Sequence, residues 1–224
     1  MIHFALLAGA CLSFEVIAAM LHPDTEVRFV NEQIGSGVFA TRLIPKGTLV
    51  WVQDKFDRIY PEAEVRKLEP VYQAILEHYC FRNHQGFWVF CWDNTRYINH
   101  SFHANSIATP YGCELAVRDI HSGEQITNDY GFFNIIEPFD MFPEEGSRRT
   151  QVMPDDLLRC ADDWDSQLVD AYPRYLQVPQ PLSRLLPEQQ RQALEAVSRG
   201  DTKPLSIRCN YFDPASVATE VGDV

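Results

Sequence analysis

The chain has 224 residues, 46% of them hydrophobic, and a formal net charge of −12 from 31 acidic and 19 basic side chains. That length suits one large globular domain, or a domain with an appendage, with enough core to fold without staples. The acidic balance argues against a nucleic-acid backbone as partner; it serves solubility, and it favours a basic partner such as a lysine-rich protein segment.

The six cysteines (Cys11, Cys80, Cys91, Cys113, Cys160 and Cys209) show no C-x-C or C-x-x-C spacing. Several lie in apolar runs, where a free thiol behaves as a small hydrophobe. They are read as reduced thiols of an intracellular protein, in cytoplasm or nucleus, rather than a disulfide framework or zinc knuckle.

Residues 1–25 form an apolar leader of uncertain purpose. FALLAGACLSFEVIAAM (4–20) has no basic residue before it, and Glu15 interrupts it, so it departs from a signal peptide. It is also short for a membrane span, and no membrane association is expected. Met20 is an alternative start; an extra helix packed on the domain is the other reading.

From residue 26 short strands follow one another. EVRFVNEQ is one, and IGSGVFATRLIPKGTLVWVQ supplies two more around glycine-bearing turns. Residues 61–79 read as helical, with Pro70 breaking or restarting the helix. GFWVFCW (86–92) is β-rich, and ELAVRDI (114–120) alternates like a half-buried strand before the turn HSGE and a short strand QIT. After about 133 the chain reads as loop. Helices are then expected over 154–172, with Leu157, Ala161, Trp164 and Leu168 on one stripe, and over 184–199, closed by Gly200. A polar tail ends the chain. The pattern is mainly β with α: a strand-rich unit over 26–140 and a helical extension over 141–224.

Four stretches carry candidate chemistry: Gly35-Ser36-Gly37, RYINHSFHANS (96–106), GEQITNDYG (123–131) and PFD (138–140). Singly, each has a plain explanation. A lone G-x-G is usually a turn, Asn99 and Asn105 suit turns, His100 suits a core, and Tyr130 suits a buried aromatic whose hydroxyl finds a carbonyl. A metal site on His100 and His103, with Asp93 or His84, is disfavoured. An odd spacing in an extended segment sends two side chains to opposite faces.

In this order the stretches resemble one family, the SET-domain protein-lysine methyltransferases, over roughly residues 26–140. The resemblance implies a β-clip of short sheets with a knot-like core, which sets the Asn99 segment beside the one ending in Tyr130. It implies S-adenosylmethionine as methyl donor and a lysine-containing protein as acceptor. Gly35, Ser36, Gly37, Val38 and Phe39 would cradle the donor, since glycine lets backbone approach a ligand. Tyr97, Asn99 and His100 would be further cofactor contacts, with both the carbonyl and the amide of Asn99 available. Tyr130 would be the catalytic tyrosine, and Phe139, with the 154–199 helices, the lid.

Three departures qualify the resemblance. Phe102 stands where many members carry a zinc-binding cysteine, and Met141 and Phe142 stand where downstream ligands would lie, so no structural zinc is expected. Ala104 replaces a usual proline. Asn128 replaces a usual aromatic at a position that helps set the number of methyls added, so that number stays open. The rival reading is a weak or inactive SET module that binds cofactor or peptide as a scaffold.

Overall fold

In the computed structural model, residues 20–214 are described; the greater part of the apolar leader and the end of the polar tail lie outside them. In chain order the elements are β1 (Thr25–Asn31), β2 (Gly35–Ala40), β3 (Leu49–Val52), β4 (Arg58–Tyr60), α1 (Glu62–Val65) and α2 (Pro70–Tyr79). They continue with β5 (Cys80–Arg82), β6 (Trp88–Phe90), β7 (Asn99–His100), β8 (Ser106–Ala108), β9 (Cys113–Ala116) and β10 (Thr127–Asn128). β11 (Phe139–Asp140), β12 (Gln151–Val152), α3 (Asp156–Arg159), α4 (Ala161–Tyr175) and α5 (Glu188–Arg199) complete the series. No helix among the described residues is long and apolar enough to cross a membrane.

The strands make small sheets. β1 and β2 form an antiparallel hairpin. Its turn is set by Asn31, whose side-chain oxygen accepts from the backbone N–H of Gln33 and Ile34, and by Gly35 at φ +81°. β3, β9 and β8 form one three-stranded sheet, and β4, β6 and β5 another. β7 and β10 pair in parallel, Asn99 opposite Thr127 and His100 opposite Asn128. The expected juxtaposition of the 99 and 130 segments is therefore present.

Local chemistry explains the helix limits. Pro70 sits at the first position of α2, where its missing N–H costs nothing and its fixed φ suits the helix. Gly200 closes α5 in the left-handed region at φ +79°. The expected 154–172 helix is two helices broken at Cys160, and the second runs on through Pro173 to Tyr175. Its stripe is as expected: Leu157, Ala161, Trp164 and Leu168 are all buried. Fully burying Trp164 or Leu168 stabilises by roughly 1.5–3 kcal/mol each. The 184–199 helix begins late, at Glu188, because Pro187 caps it in extended geometry.

Two elements depart from the sequence reading. The stretch after 133 is not all loop: β11 and β12 form a small antiparallel hairpin. The ELAVRDI strand is not half-buried: all four residues of β9 are buried. β9 lies in the middle of its sheet, and Cys113, Leu115 and Val117 face a core that includes Trp164, Leu168 and Leu194 of α4 and α5. Ala116 faces a second core with Val38, Ile98 and Ile126. Glu114 shares the buried face with Ala116 and has no solvent side to point to.

Candidate active site

Two parallel residue pairs, Asn99 with Thr127 and His100 with Asn128, bring the second and third motifs together. The imidazole of His100 is buried, and its Nδ1 accepts from the backbone N–H of Tyr130 at 3.1 Å. Burial and then the positive charge of Arg149 push the ring down to about 3, so it stays neutral. His100 thus fixes the backbone that carries Tyr130. His103 is exposed, its Nε2 lying 2.9 Å from the carbonyl of Glu145. Among the described residues no group of three or more His, Cys, Asp or Glu could hold a metal ion.

Asn99 reaches the first motif. Its Nδ2 donates to the carbonyl of Ser36 and to Oε1 of Gln125, both at 3.0 Å. The amide expected to serve a ligand is therefore committed to the protein, and only the carbonyl oxygen is left for one. Gly37 is forced by this packing: a Cβ there would fall 2.8 Å from Asn99 Nδ2 and collide with Gln125 Oε1. Val38 is fully buried in the core, and the Phe39 ring lies under the guanidinium of Arg28 at 5.3 Å. Tyr97 packs edge-on against Tyr79.

Tyr130 opens into a cavity of about 470 Å³, within the range usual for small-molecule sites. Trp51, Ile98, Glu114, Asn128, Phe133 and Phe139 are among its walls. The Tyr130 hydroxyl donates to the carbonyl of Ile98 at 2.8 Å. Burial pushes the phenol up to about 12, so it is neutral and serves as an oriented dipole, not as a base. Phe139 reaches this wall from β11. The helices of 154–199 do not: their apolar faces are spent on the core with β3, β8 and β9. Gly35 to Phe39, Tyr97, Asn99 and His100 are brought together next to Ile98 but do not line this cavity.

A second, smaller cavity of about 200 Å³ shares a wall with the first. Trp51, Phe81, Arg82, Glu114, Phe133 and Asn134 line both. Gln190 of α5 and Asn210 line the smaller one, which is the contribution of the C-terminal part to these cavities.

Arg149 is a residue the sequence reading missed. It donates to Asp129 and to Asp156, and its guanidinium stacks over Phe102 at 4.6 Å. Burial raises the Asp129 carboxyl, and Arg149 works against that shift. Gly131 permits the clamp, since a Cβ there would meet Asp156 at 2.8 Å and Arg149 at 2.9 Å. The position where a zinc ligand was expected to be absent is filled by Phe102, edge-on to His100 and beneath Arg149. No motif spacing marks Arg149; an unpaired Asp next to Tyr130 was the available hint.

Residues 35–131 match the family model of the SET domain, the family that the sequence motifs resemble. The family is one of methyltransferases, typically acting on protein lysine. Among curated proteins, none matches the chain.

The cavity fits a cationic methyl donor with polar ends. Aromatic walls suit a sulfonium. Two buried polar atoms on its walls, Trp51 Nε1 and Asn128 Oδ1, have no partner within the protein and would be satisfied by bound molecules that offer an acceptor to the one and a donor to the other.

Proposed function

We propose that this protein transfers a methyl group from S-adenosylmethionine to a lysine side chain of a protein, with Tyr130 as the catalytic residue. The observation that carries the reading is the Tyr130 hydroxyl, held on the Ile98 carbonyl at the wall of an aromatic cavity beside the β7–β10 pair. S-adenosylmethionine supplies an electrophilic methyl carbon on a sulfonium. The chain's own contribution is alignment, which can lower a barrier by several kcal/mol. Tyr130 commits its proton to Ile98, so its oxygen accepts from the incoming amine. Phe139 lines the cavity, and the Ser36–Asn99–Gln125 bonds hold the first motif against the second.

Residues 26–140 act as the SET unit, and 141–224 as an extension whose helices complete its core. The net charge of −12 draws a basic protein substrate. Packing of Phe102 does the work of a zinc cluster. The described cysteines Cys80, Cys91, Cys113, Cys160 and Cys209 are all free thiols, which supports an intracellular setting.

The test is incubation with labelled S-adenosylmethionine and a lysate, followed by mass spectrometry of modified peptides. Transfer to lysine is expected. Tyr130→Phe is expected to lower the rate by about 10²-fold or more, the cost of losing one preorganised polar group at the reacting centre, with melting temperature kept. An unchanged rate in that variant would remove Tyr130 from the mechanism.

A further inference from the structure

Glu114 sits on β9 opposite Trp51 of β3 and Ala108 of β8, and is only 3% exposed. Its Oε1 accepts from Asn128 Nδ2 and its Oε2 from Ser106 Oγ, each at 3.0 Å. Both partners are neutral. The charged neighbour that acts on it is Asp93, of the same sign. Arg82 shares the wall but is engaged elsewhere, with Glu62 at 3.2 Å and stacked on Trp88 at 4.0 Å. No cation among the described residues pairs with Glu114.

A buried carboxylate without a counter-ion is costly, and the chain keeps it at the wall that separates two cavities. Tyr130 lines the larger of them and cannot take a proton. Asn128 Oδ1, beside Glu114, is buried without a partner. The missing partner is therefore a cation with several N–H donors, entering from the cavity.

We infer that Glu114 binds the ammonium of the acceptor lysine and takes its proton, while Asn128 Oδ1 accepts one N–H of the amine so formed. This rests on the methyltransferase reading above for the step that follows. The ammonium N–H bond breaks and its proton passes to a Glu114 oxygen. The freed amine lone pair then forms the N–C bond to the donated methyl, whose bond to sulfur breaks with both electrons left on sulfur. Glu114 afterwards returns its proton to water. A free lysine amine holds its proton to about pH 10.4, so an acceptor carboxylate in the channel removes the need for alkaline conditions. Burial raises the Glu114 carboxyl to about 7, which suits it to accept and release a proton near neutrality. The titratable or charged groups around it are Cys113 on β9 itself, Asp93 and Cys91 on the segment before β7, Arg82 on β5 and Tyr130 after β10.

The experiment has two arms. In the first, n-butylammonium is titrated into the full chain by calorimetry or NMR, with n-pentanol as the neutral isostere. Wild type is expected to prefer the cation by at least tenfold, and Glu114→Gln to lose that preference. Equal binding of the two probes by wild type would overturn the inference without reliance on any variant. In the second, peptide methylation is followed from pH 6.5 to 9.5. Wild type is expected to level off above about pH 7, whereas Glu114→Gln rises about tenfold per pH unit, because the amine must then lose its proton to solvent. A pH profile shared by both proteins would also overturn it. Cation preference without any methyl transfer would instead defeat the methyltransferase reading and leave the ammonium site standing.

Discussion

Two buried carboxylates flank the same short strand, β10, and their surroundings are opposite. Asp129 follows β10 and is neutralised from within by Arg149, which also holds Asp156. Glu114 hydrogen-bonds Asn128 of β10 and meets only neutral donors, at the wall of a cavity. The first charge is closed off and serves architecture: it ties the Tyr130 segment to α3 and, through the ring of Trp164, to α4. The second is left open to something that arrives. A buried charge paired inside the fold marks structure, whereas one left unpaired beside a cavity marks a place for a ligand.

The contrast can be broken from either side. The largest effect is expected from Arg149→Met, which leaves Asp129 and Asp156 buried without their cation. Loss of about 3–5 kcal/mol in a denaturant titration near pH 7 is expected, shrinking as the pH falls and Asp129, whose carboxyl burial raises, protonates. A loss under 1 kcal/mol would mean the clamp is not structural. Next is Gly131→Ala, where the new methyl must push into Asp156 and Arg149. About 1–3 kcal/mol of destabilisation is expected, checked by thermal melting.

On the other side, Glu114→Gln is expected to leave stability unchanged at pH 4 and to raise it at pH 8. The folded carboxyl titrates at about 7 against an ordinary 4.5. Folding therefore opposes its ionisation, and stability present below pH 4.5 is lost as pH rises through 7. His100 slopes the other way: its ring titrates at about 3 against 6.5, so the stability it gives above pH 6.5 is lost as pH falls towards 3. A pH–stability curve for the variant that still declines between pH 5 and 7 would mean that Glu114 is not its source. The smallest loss among the destabilising variants is expected from Asn99→Ala. It removes two hydrogen bonds that hold Ser36 and Gln125, at a cost of about 1–2 kcal/mol, yet it should weaken S-adenosylmethionine binding by more than that, as calorimetry would show.

Much of this arrangement was legible in residue order. The Pro70 restart, the Gly200 stop and the Leu157–Leu168 stripe depend on local backbone chemistry and on period, which need no tertiary information. The pairing of the Asn99 and Tyr130 segments followed from family resemblance carried by three motifs, and the chain places them in register. The cofactor roles expected of Val38 and His100 rest on the backbone at these positions, not on the side chains. Both side chains are buried, one in the core and one holding the backbone of Tyr130. The commitment of the Asn99 amide to Ser36 could not be read from spacing, because it depends on how closely Gly37 approaches.

By itself, then, the sequence determined the resemblance to the SET domain, the strand-rich part and the helices that follow it. It could do so because short motifs and periodicities are properties of neighbouring residues. Only the tertiary structure decided what each charge is for. Glu114 reads along the chain as the polar half of an alternating strand, and Arg149 as a loop residue. Their meaning changes because β9 is covered on both faces and because residues 129 and 149, 20 positions apart, meet in a low-dielectric interior. Burial and pairing are set by packing between distant segments, and they separate a structural charge from one free to receive a substrate.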